Sequence, residues 1–164
     1  KFNHHYGNIL TPPEAIIDEH TGVLPGTDGR KMSKSYANTI PVFSEEEALR
    51  KVIMKIQTNS LEPGEPKDSS DCNIFSIYKA IGTDDKINDL QTLYEKGIAW
   101  GEAKKILFEE LNLFLKPFRA EYNKIIQDKL FVEKTLIEGS EKALSISGPV
   151  IKEVRQAIGI KSFG

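Results

Sequence analysis

Little in this chain places it by bulk composition. Its 164 residues hold one cysteine, Cys72. A single thiol excludes an internal disulfide and any multi-cysteine zinc site, and it suits a reducing cytoplasm. His4, His5 and His20 have no ligand spacing with acidic or sulfur partners, so no metal site is expected. No apolar run approaches the length that spans a membrane, and no signal peptide is present. The formal net charge is only −2. Nucleic-acid binding, if present, must come from local patches rather than a globally basic surface. An initiating methionine is also missing. Lys1-Phe2-Asn3-His4-His5-Tyr6 followed by Gly7 reads as the last turn of a helix with its glycine cap. The expectation is a fragment whose upstream part is missing.

Strand signals are scarce too. Ile9-Leu10, Thr11-Pro12-Pro13 and Ala15-Ile16-Ile17 suggest a short strand or extended edge segment, because paired prolines deny ladder hydrogen bonds. Asp18 to Pro25 reads as connecting chain. From residue 44 onward the pattern is helical. Ser44 and Glu47 are spaced as a capping box, opening a helix to about Thr58 that buries Leu49, Val52, Ile53 and Ile56. Leu61 to Asp71 is loop. Ser70 or Asp71 could cap a helix over about 72–81 with Ile74, Phe75, Ile77 and Tyr78 inward, and another runs from Thr83 to Gly97 through Leu90, Leu93 and Tyr94. Residues 101–128 carry the strongest stripe, with Leu107, Leu111, Phe114, Leu115, Phe118, Tyr122, Ile125 and Ile126 at three- and four-residue spacing. Pro117 inside it predicts a kink or break. A last helical region over 131–159 should turn Val132, Leu136, Ala143, Ile146, Val150, Ile151, Val154 and Ile158 inward, with Gly139 and Gly148-Pro149 bending it and a frayed tail beyond Gly159. The fold class is mainly α: a bundle of about five helices, preceded by an extended or strand arm.

Ten residues stand apart: Gly26-Thr27-Asp28-Gly29-Arg30-Lys31-Met32-Ser33-Lys34-Ser35. Glycine and serine make this a poor helix and a poor strand. Lysines supply point charge, and hydroxyls and backbone N–H groups supply donors, so the stretch suits a mobile loop over a polyphosphate. It is not the nucleoside-triphosphatase P-loop, which needs glycine directly before its Lys-Ser/Thr. Gly26 to Gly29 also fits the GXXG of KH RNA-binding loops, a weak match by itself.

Lys31-Met32-Ser33-Lys34-Ser35 resembles the KMSKS loop of class I aminoacyl-tRNA synthetases. A given pentamer of this composition arises by chance in a chain this long on the order of once in ten thousand times. The flanks sharpen the match. Leu24-Pro25-Gly26 leading in, Asn38-Thr39-Ile40 following, Phe2-Asn3 through Tyr6-Gly7, Pro63 to Asp68, Trp100 to Lys105 and Pro117, Arg119 and Tyr122 resemble the carboxy-terminal half of the bacterial tryptophanyl-tRNA synthetases.

That resemblance implies a division at residue 43: 1–43 as the end of a catalytic domain with its KMSKS loop, and 44–164 as a helical anticodon-binding domain. The Rossmann domain, with the HIGH-type motif, the tryptophan pocket and a homodimer interface, is absent from this sequence. By the same resemblance Lys31 and Lys34 are catalytic, meeting the leaving pyrophosphate of ATP with Mg²⁺ sharing the charge. Met32, Ser33 and Ser35 complete the ATP-binding set, and Gly26 and Gly29 are loop hinges. The partners implied are ATP, tryptophan and tRNA(Trp). Lys67, Lys104, Lys105 and Arg119 are candidate tRNA contacts, though ordinary solvated helix faces explain them as well. Trp100 reads as a packing residue at a helix start. A related synthetase for tyrosine, or a stand-alone helical RNA-binding module, remains an alternative. The chain alone is expected to be inactive, with its loop unfixed in the absence of ligand.

Overall fold

A computed structural model describes residues 1–17 and 22–160. The start of the connecting chain, with His20, and the tail expected to fray lie outside the described residues. Six α-helices follow in order: α1 (Phe2–Tyr6), α2 (Glu46–Met54), α3 (Asn73–Lys79), α4 (Asp84–Glu95), α5 (Trp100–Ile125) and α6 (Lys129–Ala157). A 3-10 turn at Lys34–Tyr36 lies between α1 and α2. Among the described residues there is no strand, only an isolated antiparallel bridge between Pro25 and Lys31. Residues 8–17 are extended but pair with nothing as a sheet, so the strand alternative for this arm fails; Pro12 and Pro13 have no N–H to offer a ladder. The glycine cap of α1 is present: Gly7, at φ 90°, donates its N–H to Asn3 O.

The chain forms two compact units, residues 17–123 and residues 1–16 with 124–164. The first holds the core. Leu49 and Ile53 of α2, with Ile56 just beyond it, meet Ile74, Phe75, Ile77 and Tyr78 of α3. Leu90 and Tyr94 of α4 and Ala103, Leu107, Phe108, Leu111 and Leu115 of α5 complete it. The periodic positions thus pack nearly as their spacing predicts, with Val52 half-buried and Leu93 exposed. Phe75 and Trp100 both set their rings against Tyr94, whose hydroxyl meets the Cys72 thiol at 3.3 Å.

Helix ends and interruptions differ from the sequence reading. Helix α2 starts at Glu46 with Glu45 as cap, while the Ser44 hydroxyl donates to Pro41 O, so the capping box does not form. The helix stops at Met54 rather than near Thr58. Cys72, not Ser70 or Asp71, precedes α3, and Asp68 accepts the Ser70 N–H and hydroxyl instead. Helix α5 runs through Pro117 without a break. Leu113, whose carbonyl loses its partner to proline, is exposed, so water can serve it.

The second unit contains a five-residue helix, an extended arm and α6, which runs unbroken through Gly139 and Gly148-Pro149. The face expected to point inward is not buried: α6 has no buried residue, and Leu136 and Ile146 are exposed. A single helix cannot cover its own stripe; it needs a partner surface. The second half of the α5 stripe, including Phe114, Phe118 and Tyr122, is likewise exposed.

Candidate functional site

Residues 24–38 build a hydrogen-bonded turn. Gly26 N–H donates to Arg30 O at 2.7 Å, and Gly29 N–H closes the turn onto Gly26 O at 3.1 Å. Met32 N–H then returns to Leu24 O at 2.9 Å. Gly29 sits at φ 81°, a conformation that a side chain resists. Gly26 is glycine for a different reason. It is buried, and a Cβ there would run into the Asn38 carboxamide. Gly26 and Gly29, the expected hinges, here permit a close approach and a left-handed turn respectively.

Asn38 is the residue that sequence reasoning passed over. It is only 2% exposed. Its Oδ1 accepts the Ser33 N–H at 2.8 Å, its Nδ2 donates to Asp28 Oδ1 at 2.7 Å, and its backbone carbonyl accepts the Thr27 N–H at 3.0 Å. Longer contacts run from Nδ2 to the carbonyls of Arg30 and Lys31. One residue therefore ties the turn at Thr27–Asp28, through its carbonyl and its amide, to Ser33 in the KMSKS segment. The signal in the sequence was a polar amide in an otherwise plain flank, and spacing alone cannot show burial.

The three cations of the loop part company. Arg30 is committed: its guanidinium pairs with Asp28 Oδ2 at 2.6 Å and lies 4.3 Å over the Tyr36 ring. The Asn38 amide chiefly holds the Asp28 carboxyl below the usual carboxylate range, and Arg30 adds to the effect. Lys31 and Lys34 are exposed, and among the described residues neither forms a salt bridge. Ser33 caps the 3-10 turn, its Oγ accepting the Ser35 N–H, and the two hydroxyls meet at 2.8 Å. Met32 is half-buried beside them. Two free ammoniums, two hydroxyls and an exposed turn can receive an anion. Asp28, the only carboxylate in the ten residues, is already engaged. The loop therefore has no carboxylate left to hold Mg²⁺, which would be held through the phosphates of a nucleotide.

The loop is seated on the bundle. Gln57 N–H donates to Thr27 O at 2.8 Å, and a Cβ at Gly29 would press on the Asn73 amide at the start of α3. A polar cleft of about 450 Å³ between them is lined by Asp28, Gly29, Gln57, Asn59, Asn73 and Trp100 among others. A larger concavity of about 900 Å³ lies elsewhere, along α6, and none of the expected site residues lines it.

The four candidate tRNA contacts do not gather on one face. Lys67 is 4% exposed; its ammonium donates to Glu62 O and Glu65 O and lies 5.3 Å from the Trp100 ring centroid. Arg119 is buried, giving both terminal nitrogens to Asn112 Oδ1 while its Nε finds no partner. Both head groups are turned inward onto protein acceptors. Lys104 is half-buried on the Met54 carbonyl at the end of α2, and burial pulls its pKa down. Only Lys105 is exposed, beside Arg50 and Phe108 in a small groove. Trp100 packs as expected, its indole N–H on Asn59 Oδ1.

Comparison with known proteins fits this geometry. Residues 1–116 match the family of class I tRNA synthetases (W and Y). The chain is 41% identical over 161 residues to the tryptophan–tRNA ligase of Neisseria meningitidis, covering 98% of this chain and 48% of that protein. It is 42% identical over 166 residues to the Pseudomonas aeruginosa tryptophan–tRNA ligase, covering 99% of this chain and 37% of that one. Among solved structures, the Campylobacter jejuni tryptophanyl-tRNA synthetase complexed with ADP and tryptophan superposes with a TM-score of 0.75 at 40% identity, covering 96% of this chain and half of that one. The chain spans half or less of the length of these relatives.

Proposed function

Since the chain belongs to the class I tRNA synthetases of the tryptophan and tyrosine type, we propose that residues 1–164 supply the pyrophosphate-side loop and the anticodon-binding bundle of a tryptophan–tRNA ligase. Tryptophan is favoured over tyrosine by the identity to tryptophan–tRNA ligases along nearly the whole chain. The same identity favours a ligase over a stand-alone RNA-binding module. The functional division falls at residue 43, with 1–43 completing a catalytic domain and 44–164 facing the anticodon of tRNA(Trp). The enzyme works in the cytoplasm as a homodimer joined through its catalytic domain.

In this reaction a tryptophan carboxylate oxygen attacks the α-phosphorus of ATP in line. A new P–O bond forms, the α–β bridging bond breaks, and pyrophosphate leaves with the electron pair. The protein does little covalent work; placement and charge stabilisation dominate. Mg²⁺ neutralises phosphate charge when bound with ATP. Lys31 and Lys34 meet the charge that grows on the leaving group, and Ser33 and Ser35 donate to the same oxygens. Met32 lies toward the adenine. The observation that carries this reading is the segregation of cations: Arg30 is locked to Asp28 while Lys31 and Lys34 stay uncommitted. Of the RNA candidates, Lys105 keeps an exposed ammonium for the tRNA backbone.

Lys34→Ala in the full-length synthetase should lower kcat for tryptophan-dependent ATP–pyrophosphate exchange by about 100-fold, with KM for tryptophan within about twofold. Equal losses in rate and tryptophan binding would remove the differential role. Residues 1–164 alone should catalyse no exchange, since by the family resemblance the tryptophan pocket lies in the Rossmann domain.

A further inference from the structure

Asn38 is a buried amide whose two ends face different parts of the loop, and neither end can be replaced by water at 2% exposure. On the acceptor side Oδ1 holds the Ser33 N–H, one residue before Lys34. On the donor side Nδ2 holds the Asp28 carboxylate, which in turn holds Arg30 through its Nε at 2.8 Å. The chain Ser33–Asn38–Asp28–Arg30 therefore links the cation that is committed to the segment whose cation is free. Resting on the ligase reading above, we propose that Asn38 is a positioning residue for adenylate formation, its carboxamide fixing the Ser33–Lys34 segment relative to the Asp28 turn so that the Lys34 ammonium meets the leaving pyrophosphate.

Only an amide does both tasks. Aspartate at 38 could still accept from Ser33 N–H, but it would set two carboxylates against each other where Nδ2 and Asp28 Oδ1 now lie 2.7 Å apart. Restoring a donor from the other side should repair the damage. With Asp28→Asn in the same chain, the residue-28 amide can donate to the residue-38 carboxylate, which still accepts from Ser33; the repair is partial, because the Arg30 N–H loses the Asp28 Oδ1 it now bonds at 3.1 Å. Misplacement of a reacting group by about 1 Å costs about 100-fold in rate. A rigid reporter on the loop is therefore worth that order of effect without touching substrate.

The test measures adenylate formation in the full-length synthetase by rapid quench, following both the rate and the amount formed per enzyme. Asn38→Asp should slow the rate by about 10- to 100-fold while the final amount per enzyme and KM for tryptophan stay near the unmutated values. Damage to folding alone would reduce the amount and leave the rate of the surviving enzyme unchanged. The double variant Asn38→Asp, Asp28→Asn should regain about tenfold over Asn38→Asp. If Asn38→Asp does not fold, Asn38→Ser, which can serve one partner but not both, carries the same comparison of rate and amount.

Lys34→Ala separates the two readings. If it slows adenylate formation and Asn38→Asp leaves the rate within about twofold, the positioning role is overturned and the ligase reading stands. If the double variant recovers nothing, the loss did not come from the Asn38–Asp28 bond and the proposal is overturned. If the unmutated enzyme forms no tryptophanyl-adenylate, the ligase reading itself fails; if it does and Lys34→Ala is silent, Asn38 has no Lys34 role to position and the proposal is overturned.

Discussion

Asp28 serves two partners at once, its Oδ1 accepting from the Asn38 amide and the Arg30 N–H and its Oδ2 from the Arg30 Nε. Both favour its ionised form, against a smaller opposing cost of desolvation, and the carboxyl titrates below its ordinary value of 3.8. A depressed carboxylate pKa stabilises the fold at neutral pH. That contribution fades as pH falls below 3.8 and through the folded-state value. A carboxyl-carbon NMR titration should place the Asp28 midpoint below 3.8, and Asn38→Ala should raise it toward that figure; an unmoved midpoint would show that the amide is not the cause. Lys67 carries a second prediction at this scale. Its ammonium satisfies two loop carbonyls inside the protein. Lys67→Ala should cost about 2 kcal/mol in urea unfolding and leave the tRNA affinity of the folded fraction unchanged. A weakened affinity without a stability loss would return Lys67 to the RNA surface.

At the level of elements, periodicity carried far and punctuation carried less. Leu49, Ile53, Ile74, Leu90 and Leu107 were legible as core because helical spacing reports a shared face directly. The loop was legible because its residue types have few other uses. Asn38 was not, since a buried amide looks like any loop asparagine until its partners are in place. Ser44 misled for a related reason: its hydroxyl found Pro41 O nearer than the first turn of α2. Pro117 misled because sequence counts the lost donor but not the side of the helix it falls on. Leu113 and Pro117 both lie toward solvent, so the helix loses one bond and keeps its course. An interior proline still destabilises a helix by up to about 3 kcal/mol. Pro117→Ala should therefore raise stability by about 1–3 kcal/mol, read in urea from the fluorescence of the single tryptophan, Trp100. A loss of stability would mean that the ring is needed where it stands.

For the molecule as a whole, burial is unevenly shared. Every residue of the hydrophobic core lies between Leu49 and Leu115, within the unit of residues 17–123. The other unit holds the longest helix, the 29 residues of α6, and α6 buries none of them. A helix without tertiary burial keeps only its propensity and local bonds. Gly139, Gly148 and Pro149 weaken that propensity by about 1, 1 and 3 kcal/mol relative to alanine. Its side-chain support among the described residues includes the Asp128 cap on Phe131 N–H, the Thr135 and Ser145 hydroxyls bonded back to Phe131 O and Lys142 O, and an exposed Lys134–Glu138 pair, which is worth about 0.3–0.5 kcal/mol. Hydrogen exchange on residues 1–164 should therefore split by unit. Amides of α3, α4 and the first half of α5 should open only with global unfolding, because their carbonyl partners sit under the core. Amides of α6 should exchange with protection below about 100-fold, set by helix–coil opening alone. Urea should speed exchange of the first group together and leave the second almost unaffected, since opening α6 exposes no buried surface. Equal protection in both groups would mean that α6 is held by a surface as extensive as the core.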